Sequence, residues 1–90
     1  MEVKYQIRYL DKVVQKHIPT LPSTVKKIIK KAIEERLTID PIGFGKPLRY
    51  TLKGYRRLRV SDYRIVYRIQ SDTRTVIIVA IKHRKDIYEM

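Results

Sequence analysis

The sequence predicts a single α+β domain over residues 1–90, in which an N-terminal strand and a two-helix hairpin precede an antiparallel sheet of three to four strands packed on the helices. Three observations support this prediction. A chain of 90 residues is long enough for one small hydrophobic core and too short for two. Apolar residues follow helical spacing in part of the first half. They follow strand alternation near the N-terminus and through much of the second half.

The first half of the chain is predicted to form one strand and two helices. Apolar residues alternate with polar ones over residues 3–9, which indicates a half-buried strand. A short helix over residues 11–18 is predicted to end at "PTLP", because proline removes a backbone donor and restricts the residue before it. A second helix begins at Ser23, carries one apolar face as far as Leu37, and is expected to stop at "DP", residues 40–41.

The second half is predicted to form consecutive strands. "IGFGKP", residues 42–47, contains two of the three glycines and is expected to be a loop, followed by a short strand over "PLRY". Residues 55–60 and 63–70 flank "SD" and have the pattern of a hairpin. The β-branched run "TVIIVAIK", residues 75–82, is typical of a central strand buried on both faces. The tail "HRKDIYEM" ends the chain.

The net charge is the most informative number in the composition. Lys and Arg total 21 and Asp and Glu total 9, which gives a net charge of +12 and an isoelectric point near 10.2. A field of that size attracts polyanions, so nucleic acid or the ribosome is the predicted partner, ahead of an acidic membrane surface or an acidic protein. A solvated basic surface without a ligand is the alternative.

The same composition argues against several classes of protein. The chain has no cysteine, so it offers no disulfide, thiol nucleophile or thiolate metal site, and its histidines are His17 and His83. We therefore predict no metal and no other cofactor. No apolar run approaches the roughly 18 residues of a membrane span, and "MEVKYQIRYL" lacks the features of a signal peptide. A cytoplasmic protein without membrane contact is the prediction.

The hairpin pattern sorts the arginines of residues 55–69 by face. If "SD" is a two-residue turn, Arg59 lies opposite Arg64, and such opposed like charges destabilise a sheet unless an anionic ligand binds there. Guanidinium groups grip two phosphate oxygens at once, and Tyr55 beside them suits base stacking. The alternative is a solvated face whose arginine stems cover apolar surface. The predicted apolar face comprises Leu58, Val60, Tyr63, Ile65, Tyr67 and Ile69, and the predicted cationic face comprises Arg57, Arg59, Arg64 and Arg68.

The tail adds a second polar cluster, Lys82, His83, Arg84 and Tyr88. If the tail follows the last strand directly, it emerges beside the same sheet, where an imidazole and a phenol would join the arginines. Imidazole titrates near neutral pH, so His83 is a candidate for proton transfer, and an ordinary surface histidine is the alternative. His17, on the apolar side of the first helix, is expected to pack or cap.

Two segments resemble a known family. "YRRLRVSDYRIVYRI", residues 55–69, and "VIIVAIKHRKDIY", residues 76–88, resemble the RelE/ParE superfamily of bacterial and archaeal toxin-antitoxin toxins. Members of that superfamily have similar Arg-Leu-Arg, Asp-Tyr-Arg and His-Arg-x-x-x-Tyr patterns. The resemblance covers nearly the whole chain and includes the order of the strands and helices.

The resemblance implies a toxin of the RelE-like branch, that is, a ribosome-dependent mRNA endonuclease or mRNA interferase that inhibits translation. Such an enzyme lets a ribose 2′-oxygen attack the adjacent phosphorus in the ribosomal A site. It is held inactive in a hetero-oligomer with an acidic, RelB-like antitoxin. The ParE branch implies instead a non-enzymatic inhibitor of DNA gyrase, and a non-catalytic RNA-binding module is a third interpretation.

The resemblance also implies roles for individual residues. Arg64 matches a position assigned to phosphate stabilisation, Tyr88 matches the tyrosine thought to orient the nucleotide, and Lys82 matches a basic position on the leaving-group side. Arg57 and Arg59 fall where RelE carries two lysines, and the high pKa of arginine suits these two to binding rather than proton exchange. Proton transfer stays open among Lys82, His83 and Tyr88. The predicted catalytic set is Arg64, Lys82, His83 and Tyr88, and the predicted RNA-binding set is Tyr55, Arg57, Arg59, Arg68 and Arg84.

Overall fold

The computed structural model describes residues 4–49 and 53–87, and it shows one sheet with helical segments packed on one face. The strands are β1 (Gln6–Tyr9), β2 (Lys46–Pro47), β3 (Arg56–Val60), β4 (Tyr63–Gln70) and β5 (Thr75–His83). In this part of the chain they form a five-stranded sheet of order β1-β5-β4-β3-β2. Strand β1 is parallel to β5, and the other neighbours are antiparallel. The predicted α+β class, with an N-terminal strand before the helices, is confirmed.

The helical segments lie where the spacing predicts them, although two are not α-helical. Both predicted helices are present, and the predicted break at "PTLP" separates them, with Leu21 in an extended conformation. Within the described residues no helix is long and apolar enough to cross a membrane. The segments are a π-helical turn (Val13–His17) continued by a 3-10 turn (Ile18–Thr20), helix α1 (Ser23–Ala32) continued by a π-helical turn (Ile33–Leu37), and two short helices, α2 (Pro41–Phe44) and α3 (Arg84–Ile87).

The hydrophobic core lies between the helices and one face of the sheet, called here the inner face. Alternate residues of each long strand reach this core, because side chains in a strand point to opposite faces in turn. All six residues of the predicted apolar face are part of this core or pack against it, which confirms that prediction. The buried members include Val13, Ile29, Ile33 and Leu37 from the helical segments and Leu58, Val60, Ile65, Tyr67, Val76, Ile78 and Ile81 from the strands.

The predicted hairpin register is also confirmed. Val60 lies opposite Tyr63 and Arg59 lies opposite Arg64, so Ser61 and Asp62 form the two-residue turn. Ser61 has a φ of 54°, in the left-handed region that such a turn requires and that only glycine adopts without cost. The turn thus fixes which side chains of β3 and β4 leave the core.

Strand β5 contains a β-bulge that strict alternation does not anticipate. Val66 of β4 lies opposite Ala80, whereas the next residue, Tyr67, lies opposite Ile78. Val79 is therefore an extra residue in β5, and the facing of every later residue is reversed relative to an unbroken strand. As a result Ile81 reaches the core and Lys82 emerges on the opposite, outer face.

The segment after the second helix differs from the predicted loop. Asp40 accepts a hydrogen bond from the Gly43 N–H at 2.9 Å, and Pro41 occupies the first helical position, so a capped short helix forms there. The following strand is Lys46–Pro47 rather than residues 47–50, and Tyr50 lies outside the described residues. The two glycines favoured a loop in the sequence prediction, whereas "DP" in fact begins a short helix: Asp40 caps it and Pro41 is its first residue.

Candidate nucleic-acid interface

Three cations lie side by side on the outer face of the sheet. Arg59 of β3 is directly opposite Arg64 of β4, and Arg64 is directly opposite Lys82 of β5. Directly opposed residues have their Cβ atoms about 4.5–5.5 Å apart, so this row concentrates three positive charges in a short span. We call Arg59, Arg64 and Lys82 the cationic row.

Further cations extend the row along the outer face. Arg57 lies opposite Lys46 on one side and Val66 on the other, and Arg68 lies opposite Ile77. Alternation therefore brings Arg57, Arg59, Arg64 and Arg68 to one face, as predicted.

The outer face also has an apolar strip between its cations. Val66, Ile77 and Ala80 are only 3%, 8% and 8% exposed although they lie outside the main core cluster. Their cross-strand neighbours include Arg57 and Arg68, whose aliphatic stems are long enough to cover them. Arg57 and Arg68 thus lie beside apolar surface that their stems can cover.

A cavity of about 190 Å³ opens at the sheet edge where β2 begins. It brings residues from the end of the second helix, the segment before β2 and the cationic row to one place, and none of its described lining residues is acidic. Phe44 is 51% exposed and offers an aromatic surface beside the guanidinium groups. Such a set can hold a phosphodiester and stack a base. The lining includes Arg36, Phe44, Lys46, Arg57, Arg59 and Arg64.

Three of these lining residues are absent from the predicted site. Arg36, Phe44 and Lys46 come from elements whose positions relative to the hairpin depend on how β2 pairs with β3. The sequence carried one usable signal, since Lys46 and Phe44 are a cation and an aromatic residue just before the arginine strand. Arg36 carries no comparable signal.

His83 does not join the arginines. It lies opposite Tyr63 on the inner side of the sheet, because the bulge at Val79 places Lys82 rather than His83 on the outer face. The His83 ring meets the Tyr63 ring edge-on at 84°, with centroids 5.2 Å apart. The prediction that this imidazole joins the cationic face is therefore wrong in its geometry.

The remaining predicted residues lie around the row. The Arg84 N–H donates to the Asp62 carbonyl oxygen at 2.7 Å, and its Nε lies 3.9 Å from the Asp62 carboxylate, so Arg84 lies over the hairpin turn. Tyr55 is half-buried, and its carbonyl oxygen accepts from the Leu48 N–H at 2.9 Å. Tyr88 lies outside the described residues.

Arg56 has a structural role instead. Its Nη2 donates to the carbonyl oxygens of Ile42 at 2.7 Å and Gly45 at 3.0 Å, and it lies opposite Tyr67 on the inner face. The Tyr67 hydroxyl donates to the Pro41 carbonyl oxygen at 2.5 Å, and burial raises the pKa of this phenol. Arg56 therefore fixes the segment that forms one wall of the cavity.

The family model described as "ParE toxin of type II toxin-antitoxin system, parDE" matches residues 7–88, nearly the whole chain. The chain therefore belongs to the RelE/ParE superfamily, as a toxin of the type II toxin-antitoxin class. This finding confirms the family that the arginine and tail motifs resemble.

Several known proteins are similar to this chain. Toxin RelG of Mycobacterium tuberculosis is 32% identical over 84 residues, which cover 93% of this chain and 95% of RelG. Toxin RelE of the same organism is 34% identical over 70 residues, covering 78% and 72% of the two chains. A chain in the crystal structure of the RelBE2 toxin-antitoxin complex of M. tuberculosis superposes with a TM-score of 0.85 at 30% identity, covering 91% of this chain and all of that chain. A chain of the RelB-RelE complex of Methanococcus jannaschii gives 0.70 at 27% identity, covering 91% and 95%.

Proposed function

We propose that this toxin is a ribosome-dependent mRNA endonuclease that inhibits translation in the cytoplasm. The cationic row on the outer face is the observation that carries the proposal. Helices cover the inner face, whereas the outer face offers Arg59, Arg64 and Lys82 in a line. A single-stranded RNA backbone is the ligand that such a line of cations fits, and curated relatives carry the names RelG and RelE.

The proposed reaction is attack of a ribose 2′-oxygen on the adjacent phosphorus, with loss of the 5′-oxygen of the next nucleotide. Arg64, at the centre of the row, stabilises the charge of the pentacoordinate phosphorus. Arg57 and Arg59 bind the flanking phosphate oxygens. Tyr88 orients the nucleotide and relays the proton of the attacking 2′-hydroxyl to water, and Lys82 delivers a proton to the leaving 5′-oxygen. We assign no proton transfer to His83, because its ring lies on the inner side of the sheet.

Expression of the toxin in cells tests the proposal directly. We expect growth arrest with mRNA cut at ribosome-occupied codons. Arg64→Ala should lower the cleavage rate about 10²- to 10³-fold, the usual loss when a transition-state donor is removed. Arg74→Ala removes the same charge from the turn between β4 and β5 and is the matched control. Equal cleavage by the two variants would contradict the role of Arg64.

Inhibition of DNA gyrase is the second candidate function, because the matching family model is named for the ParE toxin. Gyrase-dependent DNA breaks with intact mRNA would support it and overturn the endonuclease proposal. If the wild-type protein binds RNA but cleaves none, the result would support the non-catalytic RNA-binding module instead.

We also propose that an acidic, RelB-like antitoxin neutralises the toxin in a hetero-oligomer. Two of the similar toxins were solved in toxin-antitoxin complexes, RelBE2 and RelB-RelE, and an acidic chain complements the charge of +12. A cavity of about 260 Å³ beside α1, rimmed by Lys26 and Lys30, suits an acidic amphipathic segment. Its apolar lining comprises Tyr9, Ile18, Leu21, Ile29, Ile33 and Ile81.

Charge reversal on α1 tests this docking site. The double variant Lys26→Glu with Lys30→Glu should weaken antitoxin binding by about tenfold or more in calorimetric titration, since like charges would then meet. Lys27→Glu, an exposed position on the same helix that does not line the cavity, is the control. Equal weakening by both would show a general charge effect and no docking at this cavity.

A further inference from the structure

A cavity of about 450 Å³ lies at the end of the sheet, next to the cationic row at Lys82. The helical turns at 13–20 form one wall, and the start of β4 and the end of β5 form the other. Its lining includes Lys16, His17, Tyr63, Lys82 and His83, and no acidic residue lines it among those the structure describes. Of these residues, Lys82 has a role in the proposed cleavage reaction and is also part of the cationic row. The other four have no role in that reaction.

The His17 ring is held by the backbone of β5. Strand β1 ends at Tyr9, opposite Ile78, so the later N–H groups on that side of β5 have no strand partner among the described residues. The His17 Nδ1 accepts the Ile81 N–H at 3.1 Å. A neutral imidazole that accepts at Nδ1 carries its proton on Nε2, so this ring is a donor on its other side.

The His83 ring is held in the same tautomer. Its Nδ1 accepts the Lys85 N–H at 3.3 Å, and Tyr63 packs against the ring edge-on. The His83 Nε2 is therefore also an N–H donor when the ring is neutral. Both rings thus keep a donor for a ligand.

The electrostatic environment of the cavity is positive. Burial lowers the pKa of His17, and the neighbouring charges of Lys82, Lys12 and Lys16 lower it further. Thr20 uses its hydroxyl hydrogen in a bond to the His17 carbonyl oxygen at 2.7 Å. Among its described lining residues, the cavity therefore offers two ammonium groups and two imidazole donors and no carboxylate.

We propose that this cavity is a second phosphate-binding site, in which Lys16, Lys82 and the Nε2–H groups of His17 and His83 bind one phosphate group. Two ammonium groups and two N–H donors match the acceptor oxygens of a phosphate, and the volume is in the range of small-ligand pockets. A flanking phosphate of bound RNA is the favoured source, because Lys82 joins the cavity to the cationic row. That choice of source rests on the proposed function, whereas the phosphate chemistry does not.

Titration of the full-length protein followed by NMR tests the site without a ribosome. Inorganic phosphate should shift the ring nitrogen signals of His17 and His83 in a saturable way. Lys16→Ala changes an exposed residue, and we expect it to weaken this binding about tenfold. Lys53→Ala, a cation in the turn before β3 at the far end of that strand, is the matched control. Absence of saturation, or equal binding in both variants, would overturn the proposal.

Two further ligands identify the source of the phosphate. A short single-stranded oligoribonucleotide that binds more tightly than a mononucleotide, and loses affinity in Lys16→Ala, supports RNA. A mononucleotide that binds as tightly as the oligoribonucleotide supports a free nucleotide as ligand and overturns the RNA assignment. These titrations measure binding and not cleavage. A negative result would therefore overturn the second phosphate site without bearing on the endonuclease proposal.

Discussion

The arginines of the hairpin divide into three roles at the scale of single residues. Arg56 donates to two carbonyl oxygens on the inner face and holds the segment before β2. Arg57 and Arg68 lie beside apolar residues of the outer face, and Arg57 also lines the cavity of the proposed RNA site. Arg59 and Arg64 lie in the cationic row. A high local density of arginine therefore does not mean that every arginine contacts a ligand.

Substitution of Lys82 separates its charge from its proton. Lys82→Arg keeps a cation in the row, but guanidinium does not release a proton in the physiological range. We expect RNA binding close to wild type and cleavage slower by about 10²-fold or more, the usual contribution of a general acid. Binding is measured by titration with uncleavable RNA, and cleavage in a translating extract. Full cleavage by Lys82→Arg would mean that another group supplies the proton.

The histidine that caps β5 should make the fold sensitive to acid. The pKa of His17 is lowered in the folded protein by burial and by Lys82, Lys12 and Lys16, so the unfolded chain binds the proton more readily. The stabilisation is complete above the unfolded pKa of about 6.5 and is lost as pH falls from there through the lowered folded pKa. His17→Asn keeps an acceptor for the Ile81 N–H and does not titrate.

Urea unfolding on either side of this pH window measures the effect. We expect the free energy of unfolding of the wild type to fall on acidification more than that of His17→Asn. His17→Ala, which leaves the Ile81 N–H without its acceptor, should be less stable than His17→Asn at both pH values. Parallel pH dependence in the wild type and His17→Asn would exclude His17 as the sensor.

The sequence predicted four of the outer arginines but not the residues that complete their cavity. Side chains of neighbouring residues in a strand point to opposite faces of the sheet. Once the turn was placed correctly, this rule alone assigned Arg57, Arg59, Arg64 and Arg68 to the outer face. Arg36, Phe44 and Lys46 reach the same place through tertiary packing of separate elements. No local pattern records that packing.

At the scale of elements, the β3–β4 turn retains some strain. Ser61 has a φ of 54°, where glycine has no Cβ penalty, so Ser61→Gly should stabilise the protein by about 0.5–1 kcal/mol. Thermal unfolding of the variant measures this gain. Ser71→Gly is the same change in the turn between β4 and β5 at a residue without positive φ, and it should destabilise. A loss of stability in both would show that the conformation of Ser61 carries no cost.

A glycine before β2 is fixed by the buried tyrosine opposite it. A methyl group at Gly45 would overlap the Tyr67 hydroxyl and lie 2.9 Å from the Arg57 carbonyl oxygen. Gly45→Ala should therefore destabilise the fold by about 1–3 kcal/mol. Tyr67→Phe should cost less in the Gly45→Ala background than in the wild type, because it removes the overlapping atom. Urea unfolding of the double-mutant cycle measures this coupling, and strict additivity would refute the overlap.

The elements show where sequence patterns decide structure and where they do not. Helical spacing, the proline break and the β-branched run each act locally, and the helices, break and strand that they predict are present. The bulge at Val79 and the π-helical turns accommodate packing between elements instead, and the apolar pattern is similar with or without them. The misplacement of His83 follows directly from the undetected bulge.

At the scale of the whole molecule, the charge of +12 predicts a steep salt dependence of RNA binding. Each phosphate bound on single-stranded RNA changes the slope of log K against log salt by about −0.7, so four contacts from Arg57, Arg59, Arg64 and Lys82 give about −3. Arg64→Ala should make the slope less steep by about 0.7, and Arg74→Ala should leave it unchanged. Fluorescence titration of labelled RNA at several salt concentrations measures both. Equal slopes in the two variants would show that the charge acts only as a diffuse field.

The bulge in β5 selects which of two neighbouring residues the outer surface presents. With Val79 as the extra residue, the outer surface presents Lys82, and the adjacent imidazole turns inward. If Val79 instead paired with Val66 in an unbroken strand, Lys82 would turn inward and His83 outward, and the surface would present an imidazole in place of an ammonium group. A change that removes the bulge in this way could therefore change the chemistry of such a protein during evolution while leaving the identity of every polar side chain intact.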